Sequence, residues 1–196
     1  MPIGVIGAGA IGTALTERLV AAGEHVLIAN SRGPDSLRGL VAAAGPGLTA
    51  VTVEEAAAEE VVVLAVPWRR LEDAVAAARV TDWGGRIVID ATNPVGAPDL
   101  AGRGSSEVVA GLLPGARLVK AFNTLAPHVL GANPRTPAGR RVIFLSGDDA
   151  SANARVAVLT ESAGWAAVDL GPLAVAGRLQ QFPGGPLPAL SLIREK

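Results

Sequence analysis

The sequence predicts an α/β protein, a doubly wound and mostly parallel sheet between two helical layers in a three-layer αβα sandwich. Three observations carry that expectation. Short apolar runs alternate with helix-length segments along most of the chain, the signature of successive βαβ units. Val61–Val66 (VVVLAV) is β-branched and does not alternate, as expected of a strand buried on both faces. The first apolar run, Ile3–Gly7, ends in glycines and opens directly into a helical segment.

Taken in order, Ile3–Gly7 reads as a strand, Ile11–Ala22 as a helix and His25–Ala29 as a second strand. A polar turn leads to a helix over Pro34–Ala44, a short strand at Thr49–Val51 and a short helix at Val53–Glu59. After the Val61–Val66 strand come a helix over Trp68–Val80, a strand at Arg86–Asp90 and a helix at Ser105–Leu113. Arg117–Ala121 and Arg141–Ser146 read as strands, Ala150–Ala163 as a helix and Ala166–Leu170 as the last strand. Right-handed crossovers then place any ligand outside the carboxyl ends of the strands. The Pro/Gly-rich stretch from Gly171 to Pro188 is the one compositional shift, and Gly184–Pro186 is not expected to be regular. With 196 residues, the expectation is one domain over residues 1–196 with a short tail at 171–196.

Composition narrows the functions open to such a fold. Seventeen basic against eighteen acidic residues give a net charge of −1, which disfavours nucleic acid or a membrane surface as partner. There is no cysteine and no tyrosine, and there are only two histidines. Thiolate chemistry, a tyrosine general acid and a histidine-rich metal site are therefore excluded. The uncharged first sixteen residues lack the basic start and unbroken apolar run of an export signal. No run approaches the length of a membrane span, so a cytoplasmic protein is expected.

Gly7-Ala8-Gly9-Ala10-Ile11-Gly12 is a G-x-G-x-x-G between a strand and a helix, the context in which the pattern has meaning. Gly7 serves the tight turn, Gly9 the approach of a pyrophosphate and Gly12 the packing of helix on strand. The amides of Ala10, Ile11 and Gly12 open the helix, where unpaired N–H groups attract phosphate. At the end of the second strand an NAD site carries a carboxylate for the ribose hydroxyls. This chain has Asn30-Ser31-Arg32-Gly33. Ser31 can donate to a 2′-phosphate and Arg32 can form a bidentate pair with it, which favours NADP(H) over NAD(H). The competing reading makes Ser31 a helix cap and Arg32 a solvated charge.

Few residues are equipped for proton transfer. His25 begins a strand and reads as a surface residue. His128 follows the Arg117–Ala121 strand and is the one acid/base candidate, with capping or packing equally open. Lys120 either binds an anionic substrate or reaches from a strand end to solvent. A hydride transfer to a flavin-like ring needs no protein acid, because the acceptor absorbs the charge and the protein supplies orientation. A carbonyl substrate would want a proton donor.

Six motifs in order resemble the NADP oxidoreductases that depend on coenzyme F420, a deazaflavin: VIGAGAIGTAL (Val5–Leu15), ANSRGP (Ala29–Pro34), AVPW (Ala65–Trp68), DATNP (Asp90–Pro94), KAFNT (Lys120–Thr124) and VDLGPL (Val168–Leu173). A related Rossmann domain also occurs in membrane ferric reductases. The resemblance implies an NADP-binding Rossmann fold with Ser31 and Arg32 on the 2′-phosphate. It implies Ala65, Val66 and Pro67 along the nicotinamide ribose and pyrophosphate, and Ala91, Thr92, Asn93 and Pro94 beside the nicotinamide. Asn123, Thr124 and Leu125 would face the deazaflavin, whereas QFPGGPLPAL (Gln181–Leu190) departs from the pattern. Relatives with this loop often carry a further helical domain, for which this chain has no room, so a second subunit is expected to complete the acceptor site in a homodimer. The apolar Leu187–Ile193 could cover that interface or the chain's own core. The leading expectation is an oxidoreductase passing hydride between NADP(H) and a deazaflavin or flavin. The alternatives are an NADPH-dependent reductase of a small imine, enamine or carbonyl, with His128 or water as proton donor, and a non-catalytic NADPH-sensing module.

Overall fold

The computed structural model describes residues 1–97 and 99–195. Six parallel strands form the body of the sheet: β1 (Ile3–Ile6), β2 (Val26–Ala29), β3 (Leu48–Ala50), β4 (Val61–Leu64), β5 (Ile87–Asp90) and β6 (Arg117–Ala121). Their order in space is β3-β2-β1-β4-β5-β6, so the strand order reverses at β1, where α/β folds open a crevice for ligands. Between them run α1 (Ala10–Ala21), α2 (Arg38–Ala44), α3 (Val53–Ala57), α4 (Leu71–Ala77) and α5 (Ser105–Leu112). After β6 come α6 (Pro127–Gly131), a two-residue β7 (Arg135–Thr136), β8 (Gly139–Gly147), α7 (Ala150–Ser162) and β9 (Ala166–Asp169). β8 runs antiparallel to β6 and parallel to β9. A π-type turn (Leu173–Gly177), a single helical turn α8 (Arg178–Gln180) and β10 (Ile193–Glu195) end the fold.

The central parallel strands are largely apolar because both faces are covered. Alternate residues divide between two cores, with Val5, Val63, Ile89 and Val119 facing Leu15 and Leu19 of α1 and Val156 and Leu159 of α7. Ile6, Leu64, Val88 and Leu118 face Ala56 of α3, Leu71 of α4 and Val109 of α5. That partition makes the sandwich three-layered and rules out a register slip, which would exchange the two cores.

The helices differ from the sequence expectation at their ends. The segments expected to be helical from Pro34 and from Trp68 begin with 3-10 turns, Pro34–Leu37 and Trp68–Arg70, before the α-helices proper. The second stops at Ala77 because Arg79 adopts a left-handed φ of 53°, which ends a helix. α6 and β10 lie in stretches where no element was expected. α6 packs against α1, with Gly131 over Ala14.

The tail folds back over the sheet. Ile193, Arg194 and Glu195 pair with Arg141, Arg140 and Gly139 of β8, and Leu187 packs against the small core around Val142 and Phe144. Part of the tail therefore covers the chain's own sheet, while Leu190 and Leu192 stay 41% and 45% exposed.

Candidate functional site

The carboxyl ends of β1, β2 and β4 open into a cleft of about 500 Å³. Gly7, Gly9, Asn30, Ser31, Arg32, Ala65, Val66 and Pro67 line it, joined by Arg69, Arg70, Asp73 and Ala74 from the turn and helix after β4.

Each glycine of the loop has its own steric task. Gly7 has φ +116°, and a Cβ there would run into the Ala65 carbonyl. A Cβ on Gly12 would strike the Gly7 carbonyl, so α1 can approach β1 only with glycine at that position. A Cβ on Gly9 would meet nothing within 4 Å, because the backbone there faces open cleft. The first bond into α1 runs from Thr13 N–H to the Gly9 carbonyl at 2.8 Å. The amides of Ala10, Ile11 and Gly12 therefore have no partner within the helix, and no acidic residue occupies its first turn.

The turn after β2 is braced from within. Asn30 Oδ1 accepts from the Arg32 amide at 2.8 Å, and Asn30 Nδ2 donates to Ser36 Oγ at 2.9 Å. Asn30 thus holds the shape of the turn that lines the cleft. Ser31 does not cap the following helix, whose first turn follows Gly33 with no side-chain cap. Ser31 and Arg32 are exposed, and among the described residues neither side chain has a hydrogen-bond or ion-pair partner. An open Gly9, free helix amides and an uncommitted Ser31–Arg32 pair form a donor set that fits the phosphates of NADP(H).

Beside the cleft, the ends of β5 and β6 are tied together. Asp90 and Lys120 are register partners and form an ion pair of 2.9 Å with both side chains fully buried. Asp90 Oδ1 also accepts from the Thr92 amide and hydroxyl, and Lys120 Nζ donates to the Thr92 carbonyl. These contacts correct the reading of Lys120 as a substrate ligand, because its ammonium is spent inside the protein. Asp90 went unassigned in the sequence, although it heads the DATNP motif. Ala91, Thr92 and Pro94 are buried too and do not line the cleft.

Phe122 has a left-handed φ of 63°, an unfavourable conformation for a bulky residue, and its buried ring lies 5.6 Å from that of Trp165. The turn delivers Asn123 Nδ2 to Asn93 Oδ1 at 2.9 Å and to the Gln180 carbonyl at 2.7 Å. Asn93 Nδ2 returns a bond to the Asn123 carbonyl, and Asn93 Oδ1 also accepts from the Phe182 amide. The Ala189 amide donates to the Thr124 carbonyl at 2.7 Å. Residues 180–189 thus form a strap over the ends of β5 and β6. Asn123, Thr124 and Leu125, expected to face an acceptor, are about 95% buried beneath it. The exposed elements of the strap, such as Phe182 at 50%, present themselves to solvent instead. His128 sits exposed on α6 with no hydrogen-bond partner among the described residues, and His25 contacts Thr49 Oγ1 at 3.2 Å.

The family described as "NADP oxidoreductase coenzyme F420-dependent" matches residues 2–94, the part of the chain that builds the cleft. The chain is similar across nearly its whole length to a hypothetical protein from Sinorhizobium meliloti, at 50% identity and a TM-score of 0.91, covering 97% of this chain and 94% of that one. A protein of Arthrobacter sp. FB24, assigned as an F420-dependent NADP-reductase, is 28% identical with a TM-score of 0.74 over 89% of this chain and 86% of that one. Metalloreductase STEAP3 of Rattus norvegicus is 31% identical over 188 residues, covering 95% of this chain and 37% of the relative. The chain spans about a third of the length of the curated relatives it matches. A reductive aminase from Aspergillus terreus, at 24% identity, a TM-score of 0.61 and coverage of 88% of this chain and 55% of that one, shares the fold. The matched family and the Arthrobacter neighbour are described as NADP oxidoreductases, and these neighbours share the Rossmann-type fold.

Proposed function

We propose that this protein passes hydride between NADP(H) and a deazaflavin or flavin-type acceptor. One observation carries the reading: the ionisable groups nearest the ends of β5 and β6, Asp90 and Lys120, are buried and paired with each other. Spent on each other, these two groups are not free to protonate a substrate, and a ring that takes up its own charge needs no such donor. Bound NADPH supplies the hydride. The residues of the chain bind and orient: the Gly9–Gly12 amides hold the pyrophosphate, and Ser31 with Arg32 holds the 2′-phosphate. The Asp90–Lys120 pair holds the Ala91–Pro94 turn in place beside the cleft.

Mixing the protein with NADPH and, in turn, F420, FMN and a cyclic imine tests the assignment. Rapid oxidation of NADPH by F420 or FMN, with the imine inert, is the expected result. Imine reduction without flavin turnover would overturn it in favour of the imine-reductase alternative, and tight NADPH binding without any turnover would favour a sensing module.

We further propose a single domain acting as a cytoplasmic homodimer. Partly exposed Leu190 and Leu192 of the tail support an interface, and no helix among the described residues is long and apolar enough to cross a membrane. Light scattering coupled to gel filtration reads the mass directly.

A further inference from the structure

The cleft holds more cationic side chain than the turn after β2 provides. Its ionisable lining residues are Arg32, Arg69, Arg70 and Asp73. Arg70 is matched within the cleft, with its guanidinium 3.0 Å from the Asp73 carboxylate. Arg32 and Arg69 have no ion-pair partner among the described residues, so the cleft carries two uncompensated positive charges. They stand on opposite walls, because Arg32 follows β2, Arg69 lies in the Trp68–Arg70 turn after β4, and β1 with its glycine loop runs between those strands. A phosphate monoester carries about −1.5 to −2 charges at neutral pH, which two arginines balance.

From this opposition we infer that Arg69 is a second ligand of the coenzyme's 2′-phosphate, clamping it against Ser31 and Arg32. The inference rests on the NADP(H) reading of the cleft and adds a specificity residue outside the turn that ordinarily selects the coenzyme. Two forks approaching from opposite sides can each place N–H donors on different oxygens of one phosphate, so neither competes with the other. Asp73 has a defined part in this arrangement, since by engaging Arg70 it keeps the excess charge at two.

Calorimetric titration of 2′,5′-ADP and 5′-AMP, which differ only in that phosphate, tests the inference without any turnover. Arg69→Ala is expected to weaken 2′,5′-ADP by about ten- to hundredfold, the range for a charge-assisted contact, and to leave 5′-AMP unchanged. Arg69→Lys should recover part of the loss, because charge returns without the fork. An unchanged preference in Arg69→Ala overturns the inference, as does equal weakening of both ligands, which would make Arg69 a partner of the adenine. If the wild type itself does not prefer 2′,5′-ADP, the NADP(H) reading of the turn falls, and Arg69 falls with it. If the wild type prefers it and only Arg32→Ala abolishes the preference, the NADP(H) reading stands and the clamp alone fails.

Discussion

Lys120 Nζ lies 2.9 Å from Asp90 Oδ2, with both side chains withdrawn completely from water. The partners sit opposite each other on adjacent parallel strands, and Ser106 Oγ adds a further contact to the carboxylate at 3.3 Å. Removing one partner leaves the other charge buried alone. Lys120→Met is therefore expected to lower stability by about 3–5 kcal/mol, read from urea denaturation. Asp90→Asn combined with Lys120→Met should recover much of that loss. A single variant within 1 kcal/mol of the wild type would show that water reaches the pair.

The glycine loop separates folding from binding at two neighbouring positions. Gly12→Ala drives a Cβ into the Gly7 carbonyl and should cost about 1–3 kcal/mol as overpacking as well as coenzyme affinity. Gly9→Ala places its Cβ in open cleft, so its melting temperature should match the wild type while NADPH binding collapses. Equal melting temperatures for both variants would contradict the contact at Gly12.

Coenzyme choice depends on Arg32 and on the residue that braces it. Arg32→Ala should weaken NADPH far more than NADH. Asn30→Asp keeps the oxygen that accepts from the Arg32 amide but loses the donor to Ser36. It also adds a negative charge beside the phosphate, so selectivity should shift toward NADH. Competitive titration of the two coenzymes measures both effects, and proportionate losses in the two would refute the assignment of the turn.

His128 discriminates the reaction types. It stands exposed on α6, and His128→Ala should leave NADPH oxidation by a flavin-type acceptor unchanged. A drop of about 10²-fold or more would instead identify a general acid and favour an imine or carbonyl substrate.

Acid should loosen the tail anchor. The Gly104 amide holds the Glu107 carboxyl below its usual value, with Arg178 assisting against the opposing effect of desolvation. Arg178 sits 3.1 Å from Glu107 and leads into the strap. A depressed carboxylate contributes stability that is present above the usual carboxylate value and is lost as the pH falls below it. Amide protection at Gln181 and Phe182 should therefore decline between about pH 5 and pH 3, and Glu107→Gln should show the weakened state already at pH 6. Protection in Glu107→Gln equal to the wild type at every pH would separate the strap from this anchor.

The parallel sheet was legible because fully buried strands leave unbroken β-branched runs, as at Val61–Leu64 and Ile87–Ile89. The glycine loop and the Ser31–Arg32 turn were legible because local sequence sets their chemistry. The strap was not. Its bonds join Asn93 to Phe182 and Asn123 to Gln180, across separations at which no periodic pattern exists. The same reason hid the fate of Lys120, which depends on strand register, and of Asn123, Thr124 and Leu125, which depend on what lies over them. Arg69 escaped notice because an arginine opening a helix ordinarily reads as a solvated charge. Its significance comes only from the wall it faces.

The cleft and the strap also differ in when their parts become available. Every residue lining the cleft falls between Ile6 and Ala77, whereas the strap over the ends of β5 and β6 comes from residues 180–189. During synthesis the coenzyme-binding half has all its side chains well before the other half can close. A nascent chain can thus gain a ligand's stabilisation while its C-terminal residues are still being made.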